Sequence, residues 1–320
     1  MRIGDFKLDG QVLLAPMAGV SDRPCRQISV RYGAALATTE MLISDTRHWH
    51  STKSQTRLNF ADNPGLVSVQ IAGNDPAQMA HAARELVGRG ADLVDINFGC
   101  PAKKVCGAAA GSALLRDLPR IQAILDAVIS AVAVPVTVKT RTGWDDDTRT
   151  AIDFARLADA AGVQAMTLHG RTRQQHFNGS AEHDTLKRVR DATDMTLIAN
   201  GDISSPNDAC QIIKATGADG VMIGRAAQGN PWLVQACDAA LRGQPAPSTP
   251  DAREQHAVIR EHLDALHTFY GEFQGVRFAR KHLRWYWQTL SLPAAEVQHF
   301  NALQSAQQQL DWLDSWGCAA

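Results

Sequence analysis

At 320 residues, with a formal net charge of -1 and 45% hydrophobic residues, the chain has an ordinary globular composition. That leaves room for one large domain with a smaller appendage, and it excludes any argument for nucleic-acid binding from overall basicity; such a contact would have to be a local patch. No segment has the length and apolarity to span a bilayer, and Met1-Arg2-Ile3-Gly4-Asp5-Phe6 lacks the apolar run of a signal peptide, so the expectation is a soluble cytoplasmic protein without membrane contact.

Short β-rich apolar runs recur along the chain, each followed by a Gly, Pro, Asn or Asp turn and a helical pattern. Eight are counted: Val12 to Ala15, Ala34 to Thr38, Leu66 to Ile71, Leu93 to Ile96, Val134 to Lys139, Ala165 to Leu168, Thr196 to Ala199, and Gly220 to Ile223. Helices are expected over Asp75 to Arg89, which opens with an Asp-Pro cap, and over Pro119 to Ser130 and Thr148 to Ala161. Eight βα units predict an α/β fold, a (β/α)8 TIM barrel over residues 1–241. An open doubly wound sheet fits less well, because no Gly-x-Gly-x-x-Gly follows the first strand. The Pro- and Gly-rich stretch 242–250 reads as a linker. Beyond it the strand pattern stops, and Ala252 to Tyr270, Val276 to Leu290 and Ala294 to Trp316 predict a small helical bundle domain over 251–320.

Within this frame Cys100, in Asp95-Ile96-Asn97-Phe98-Gly99-Cys100-Pro101, stands just past the carboxyl end of a buried strand. Carboxyl ends carry the chemistry of parallel α/β folds, so the thiol is either a working group or one of the buried structural thiols common inside cells. The six cysteines (25, 100, 106, 210, 237 and 318) have no metal-ligand pairing, and Cys100 to Cys106 is too wide for a C-x-x-C motif, so reduced thiols and no metal are expected. Other strand ends hold Gln70, Asn97, Lys139, Arg141, His169, Arg171, Asn200, Asp202 and Arg225, all placed to converge on one mouth. Lys139 could snorkel and His169 could be a satisfied core imidazole, but a lysine ending a central strand has the mouth as its natural solvent, and Gly170 suggests close approach to a ligand. Asn200-Gly201-Asp202 and Ile223-Gly224-Arg225 end the seventh and eighth strands, where this fold commonly binds phosphate.

These motifs, together with Ala15-Pro16-Met17-Ala18-Gly19-Val20-Ser21-Asp22, Val69-Gln70-Ile71-Ala72-Gly73, Lys139-Thr140-Arg141-Thr142-Gly143-Trp144 and His169-Gly170-Arg171-Thr172, resemble the tRNA-dihydrouridine synthases, and among them the bacterial B subgroup, over nearly the whole chain. The resemblance implies an FMN-binding barrel joined to a helical tRNA-binding domain. It implies that Pro16, Met17 and Ala18 pack on the flavin ring, that Gln70 meets its pyrimidine edge, and that Lys139 lies beside N1 and O2, with His169 also facing the ring. Asn200, Gly201, Asp202, Gly224 and Arg225 would hold the ribityl phosphate, and Asn97 and Arg141 would meet the tRNA substrate. Cys100 becomes the proton donor in the reduction of a D-loop uridine to 5,6-dihydrouridine, with NADPH or NADH as reductant. No obligate protein partner is implied. The loop Cys106-Gly107-Ala108-Ala109-Ala110-Gly111 is unusually small and uncharged beside its relatives.

Arg277, Arg280, Lys281 and Arg284 recur at i, i+3, i+4 and i+7, one helical face, with Trp285, Tyr286 and Trp287 following. The face is either a solvated surface over an aromatic bundle core or, as the resemblance implies, a tRNA contact. Asp145-Asp146-Asp147 reads as a solvated loop, and Glu40 is left near the mouth without a role. A small-molecule flavin oxidoreductase resembling dihydroorotate dehydrogenases, and a non-catalytic tRNA-binding protein, are the competing readings.

Overall fold

The computed structural model describes residues 1–60, 63 and 65–317. Cys318 and the last residues of the expected 251–320 domain lie outside this range. The strands are β1 (Arg2–Ile3), β2 (Phe6–Lys7), β3 (Val12–Leu14), β4 (Leu36–Ala37), β5 (Leu42–Ile43), β6 (Ser68–Ala72), β7 (Leu93–Asn97), β8 (Val136–Arg141), β9 (Ala165–His169), β10 (Thr196–Asn200) and β11 (Gly220–Ile223). The first two form a hairpin; the other nine form one parallel sheet in the order β4-β3-β11-β10-β9-β8-β7-β6-β5. The expected second strand, Ala34 to Thr38, is corrected here. Its place is taken by two pieces, β4 against β3 and β5 against β6, with a Thr38–Ser68 bridge between them. Those two pieces occupy one position, so the curled sheet has the eight positions of a TIM barrel.

Period-2 alternation divides the apolar residues between two cores. Val12 and Leu14 face outward into the layer shared with the helices, whereas Leu13 faces inward with Leu36, Leu93, Ala165 and Ile198. Ile3 and Leu8, from the amino-terminal hairpin and just beyond it, join that inner cluster and close the bottom of the barrel. Each fully buried leucine or isoleucine contributes about 1.5–3 kcal/mol. The outer layer comprises α1 (Arg23–Arg31), α2 (Thr52–Leu58), α3 (Pro76–Gly88), α4 (Lys103–Gly107), α5 (Leu118–Ile129), α6 (Ala151–Ala161), α7 (Asp184–Arg190), α8 (Pro206–Thr216) and α9 (Trp232–Leu241). Asp22, Asp75, Asp117 and Ser205 cap α1, α3, α5 and α8 through their side chains, each with proline in the first turn.

The helices after residue 251 are α10 (Ala252–Thr289), α11 (Ala294–Ala302) and α12 (Ala306–Gly317). Gly271 breaks α10 with φ 73° and ψ 172°, between the two segments expected there. The single helix expected over Ala294 to Trp316 is two. Ser305 accepts from Gln308 N at 3.2 Å while Gln308 Oε1 accepts from Ser305 N at 3.3 Å, a reciprocal cap that starts α12 afresh. Leu263, Leu283, Trp287, Phe300 and Leu313 form their core.

Candidate active site

The parallel register gathers residues distant in sequence into rows at the carboxyl rim. Gln70, Asp95 and Thr137 are side by side on β6, β7 and β8; one step higher Asn97 stands beside Lys139; at the top Arg141, His169, Asn200 and Met222 are neighbours on β8 to β11. Above them opens a cavity of about 580 Å³, within the range of small-molecule and cofactor sites. It is lined by Pro16, Met17, Ala18, Gln70, Asn97, Cys100, Lys139, Arg141, His169, Asn200, Gly201, Asp202, Gly224 and Arg225, so the sequence-predicted barrel residues share one space.

One wall holds Cys100. Asn97 Oδ1 accepts from Gly99 N at 3.1 Å and Cys100 N at 2.8 Å, and Ser112 Oγ donates to Cys100 O at 2.8 Å. Gly111, at φ 61°, passes so close that a Cβ there would come within 3.2 Å of Cys100 Cβ, so this position requires glycine. Burial raises the thiol's pKa above its ordinary value, outweighing the attraction of Arg141 and Lys139, so the group is held protonated. Below it runs a chain of side-chain hydrogen bonds. Asn97 Nδ2 donates to Gln70 Oε1 at 2.9 Å, Gln70 Nε2 donates to Asp95 Oδ2 at 2.7 Å, and Thr137 Oγ1 donates to Asp95 Oδ1 at 2.6 Å. Gln70 therefore orients Asn97, and through it Cys100, as well as facing the cavity.

The floor and opposite wall are cationic. Lys139 Nζ donates to Asn200 Oδ1 at 3.0 Å; desolvation, then the charge of Arg141, lowers its pKa to about 8. Arg141 is pinned by the carbonyls of Gly99, Thr172 and His176. Arg171, 2% exposed, donates to Asn178 O, Gly179 O and Asp202 Oδ2, the last at 2.6 Å. Burial first, and then the charges of Lys139, Arg141, Arg171 and Arg225, push His169 down to about 2, so the imidazole is neutral. Arg225, 3.9 Å from Asp202, keeps 58% of its side chain exposed and lies over the Phe177 ring. Lys139, Arg141, Arg171 and Arg225 face one lining carboxylate, Asp202, which Arg171 already neutralises. That donor set fits an anionic ligand carrying a flat polar ring.

The basic helix face separates into two kinds of residue. Arg277 and Arg284 are exposed. Arg280 donates to Leu303 O at 2.8 Å and so ties down the turn before α12, while Lys281 Nζ donates to Gly19 O in the barrel. Tyr286 and Trp287 are buried in the helical core. None of the four basic residues lines the cavity. Sequence reasoning missed Asp95, although a carboxylate inside the buried run Leu93-Val94-Asp95-Ile96 was a signal. Phe177, half exposed at the cavity edge, carries no signal within its loop, and the position of Arg171 at a strand end predicts the mouth but no function.

The dihydrouridine synthase family matches residues 13–317. The tRNA-dihydrouridine synthase B of Pseudomonas aeruginosa is 50% identical over 310 residues, 97% of this chain and 93% of that protein. The tRNA-dihydrouridine synthase B of Vibrio cholerae is 48% identical over 317 residues, 99% of this chain and 98% of that one. Among solved structures, the old yellow enzyme homologue from Zymomonas mobilis superposes with TM-score 0.54 at 15% identity, over 78% of this chain and 93% of that one. A morphinone reductase mutant in complex with tetrahydroNAD superposes with TM-score 0.56 at 14% identity, over 80% and 92%. At that identity the likeness is one of fold.

Proposed function

Because this chain belongs to the dihydrouridine synthase family, we propose that it reduces a D-loop uridine of tRNA to 5,6-dihydrouridine, with FMN as cofactor and NADPH or NADH as reductant. The observation that carries this reading is the meeting, in one cavity, of a protonated Cys100 thiol with a cationic floor suited to a flat anionic cofactor. Bound flavin would supply the hydride for uracil C6. Cys100 Sγ holds the proton destined for C5, and Asn97 fixes its backbone while Gln70 and Asp95 fix Asn97. Lys139 offers an ammonium where negative charge would gather on a reduced cofactor; Arg225 and the Gly201 and Gly224 backbone suit a phosphate. Neutral His169 donates or accepts a hydrogen bond without adding charge. The target base has to leave its stack to reach the cavity, and Arg277 and Arg284 remain available for the tRNA backbone.

The test is to map dihydrouridine in tRNA from a deletion strain, with and without the gene restored, and to identify the flavin released by the purified protein. Loss of one D-loop dihydrouridine that the restored gene recovers, together with FMN, is the expected result. An unchanged dihydrouridine map, or FAD in place of FMN, would overturn it.

A further inference from the structure

Gly19 turns the cavity wall Pro16-Met17-Ala18 back toward α1 with φ 73°. Its two flanking peptides are gripped from opposite sides, one at the Gly19 N–H and the other at the Gly19 carbonyl. The N–H donates to Glu40 Oε1 at 2.5 Å, and the same oxygen takes Arg57 Nη2 at 2.8 Å. Arg57 Nη1 also holds Met41 O at 2.8 Å, and Met41 is itself a lining residue. The Gly19 carbonyl accepts from Lys281 Nζ, 262 residues further along the chain on α10. That ammonium stands 4.9 Å and 5.3 Å from the Phe278 and Trp285 rings. A second tie lies close by, where Tyr270 OH donates to Asp22 Oδ2 at 3.0 Å, beside the Gly271 break. For Lys281 to reach a tRNA phosphate it would have to give up the carbonyl and two aromatic faces.

We infer that Lys281 and Glu40 are positioning residues that clamp Gly19 between them through its N–H and its carbonyl, so that α10 becomes part of the support for the cavity wall and Lys281 is not a phosphate contact. The inference rests on the proposed function only for what the cavity and the surface bind. It gives Glu40 a role, and it makes the helical unit necessary to the shape of the cofactor side of the site. A displacement of α10 by bound RNA would be felt at Met17 and Ala18 through Gly19.

The test compares flavin-loaded wild type, Lys281→Met, Lys281→Arg and Arg277→Gln by hydrogen exchange, flavin release on dilution, and the salt dependence of tRNA binding. Lys281→Met should speed amide exchange in residues 16–22 and flavin release by roughly tenfold, the scale of one charge-assisted hydrogen bond, with the log-log salt slope for tRNA unchanged. Lys281→Arg should restore the wild-type exchange and release. Arg277→Gln should flatten the salt slope by about one unit with wall exchange unaltered. A Lys281→Met protein with wild-type wall exchange and a slope reduced by about one unit would overturn the inference. Should that variant fail to fold, Gly19→Ala loads the clamp from the other side, its methyl 3.3 Å from Lys281 Nζ, and must produce the same local change. If the protein bound neither flavin nor tRNA, the proposed function would fail while hydrogen exchange still judged the clamp.

Discussion

Replacing Cys100 by alanine removes one proton donor and little else, because the loop's anchors are backbone groups: Asn97 Oδ1 on two amides and Ser112 Oγ on a carbonyl. Burial holds the thiol above its ordinary range, so near neutral pH it carries its proton. Losing a positioned general acid costs about 10² to 10⁴ in rate, or roughly 2.7–5.5 kcal/mol of barrier, and the lower end is expected here because the half-buried position admits water as a substitute donor. The assay is single turnover of pre-reduced enzyme with excess protein over transcribed tRNA, dihydrouridine being measured by mass spectrometry. Reduction of the flavin by NADPH, followed by its absorbance, serves as the control and should stay within about twofold of wild type, since no step there uses the thiol. Wild-type dihydrouridine formation should be flat through neutral pH and fall only on the alkaline side of the ordinary thiol range, because an acid works only while protonated and burial raises this one. Dihydrouridine formation by Cys100→Ala within threefold of wild type would refute the assignment and leave Cys100 a packing residue.

Lys139, lowered to about 8, should make FMN affinity level below that pH and weaken it above as the ammonium is lost; isothermal titration across pH 6.5 to 9.5 checks this, and Lys139→Met should show no such limb. His262 is depressed to about 3 by burial, and buried His282 is lowered as well, so the unfolded chain binds protons that the folded one does not. Stability is then full above the unfolded value near 6.5 and is lost as pH falls toward 3, by roughly 2 kcal/mol at pH 5 from His262 alone, which urea unfolding at pH 7 and pH 5 would register. Gly229→Ala would set a methyl 2.3 Å from the α10 backbone at Trp285 and Tyr286, at a residue with φ 64°, and should cost about 1–3 kcal/mol by driving α10 off the barrel; an unchanged melting temperature would contradict that packing.

Much of this protein was readable from its sequence because the information is local. Strand runs, Asp-Pro caps and the residue standing at each strand end depend on neighbours within a few positions, and once parallel strands close, their ends must share one rim; Cys100, Lys139, His169 and Asn200 were placed there on that ground. What tertiary structure decided lies in contacts between distant segments. The second strand is two short pieces, one paired with β3 and the other with β6. Arg280 and Lys281, indistinguishable by helical spacing from Arg277 and Arg284, are taken up by the carbonyls of Leu303 and Gly19. Asp95 and Gln70 became a support for Asn97 only when their strands fell into register. Local pattern specifies which side chains are presented on a face; which partner meets each of them depends on how the whole chain closes, and no window of sequence contains that.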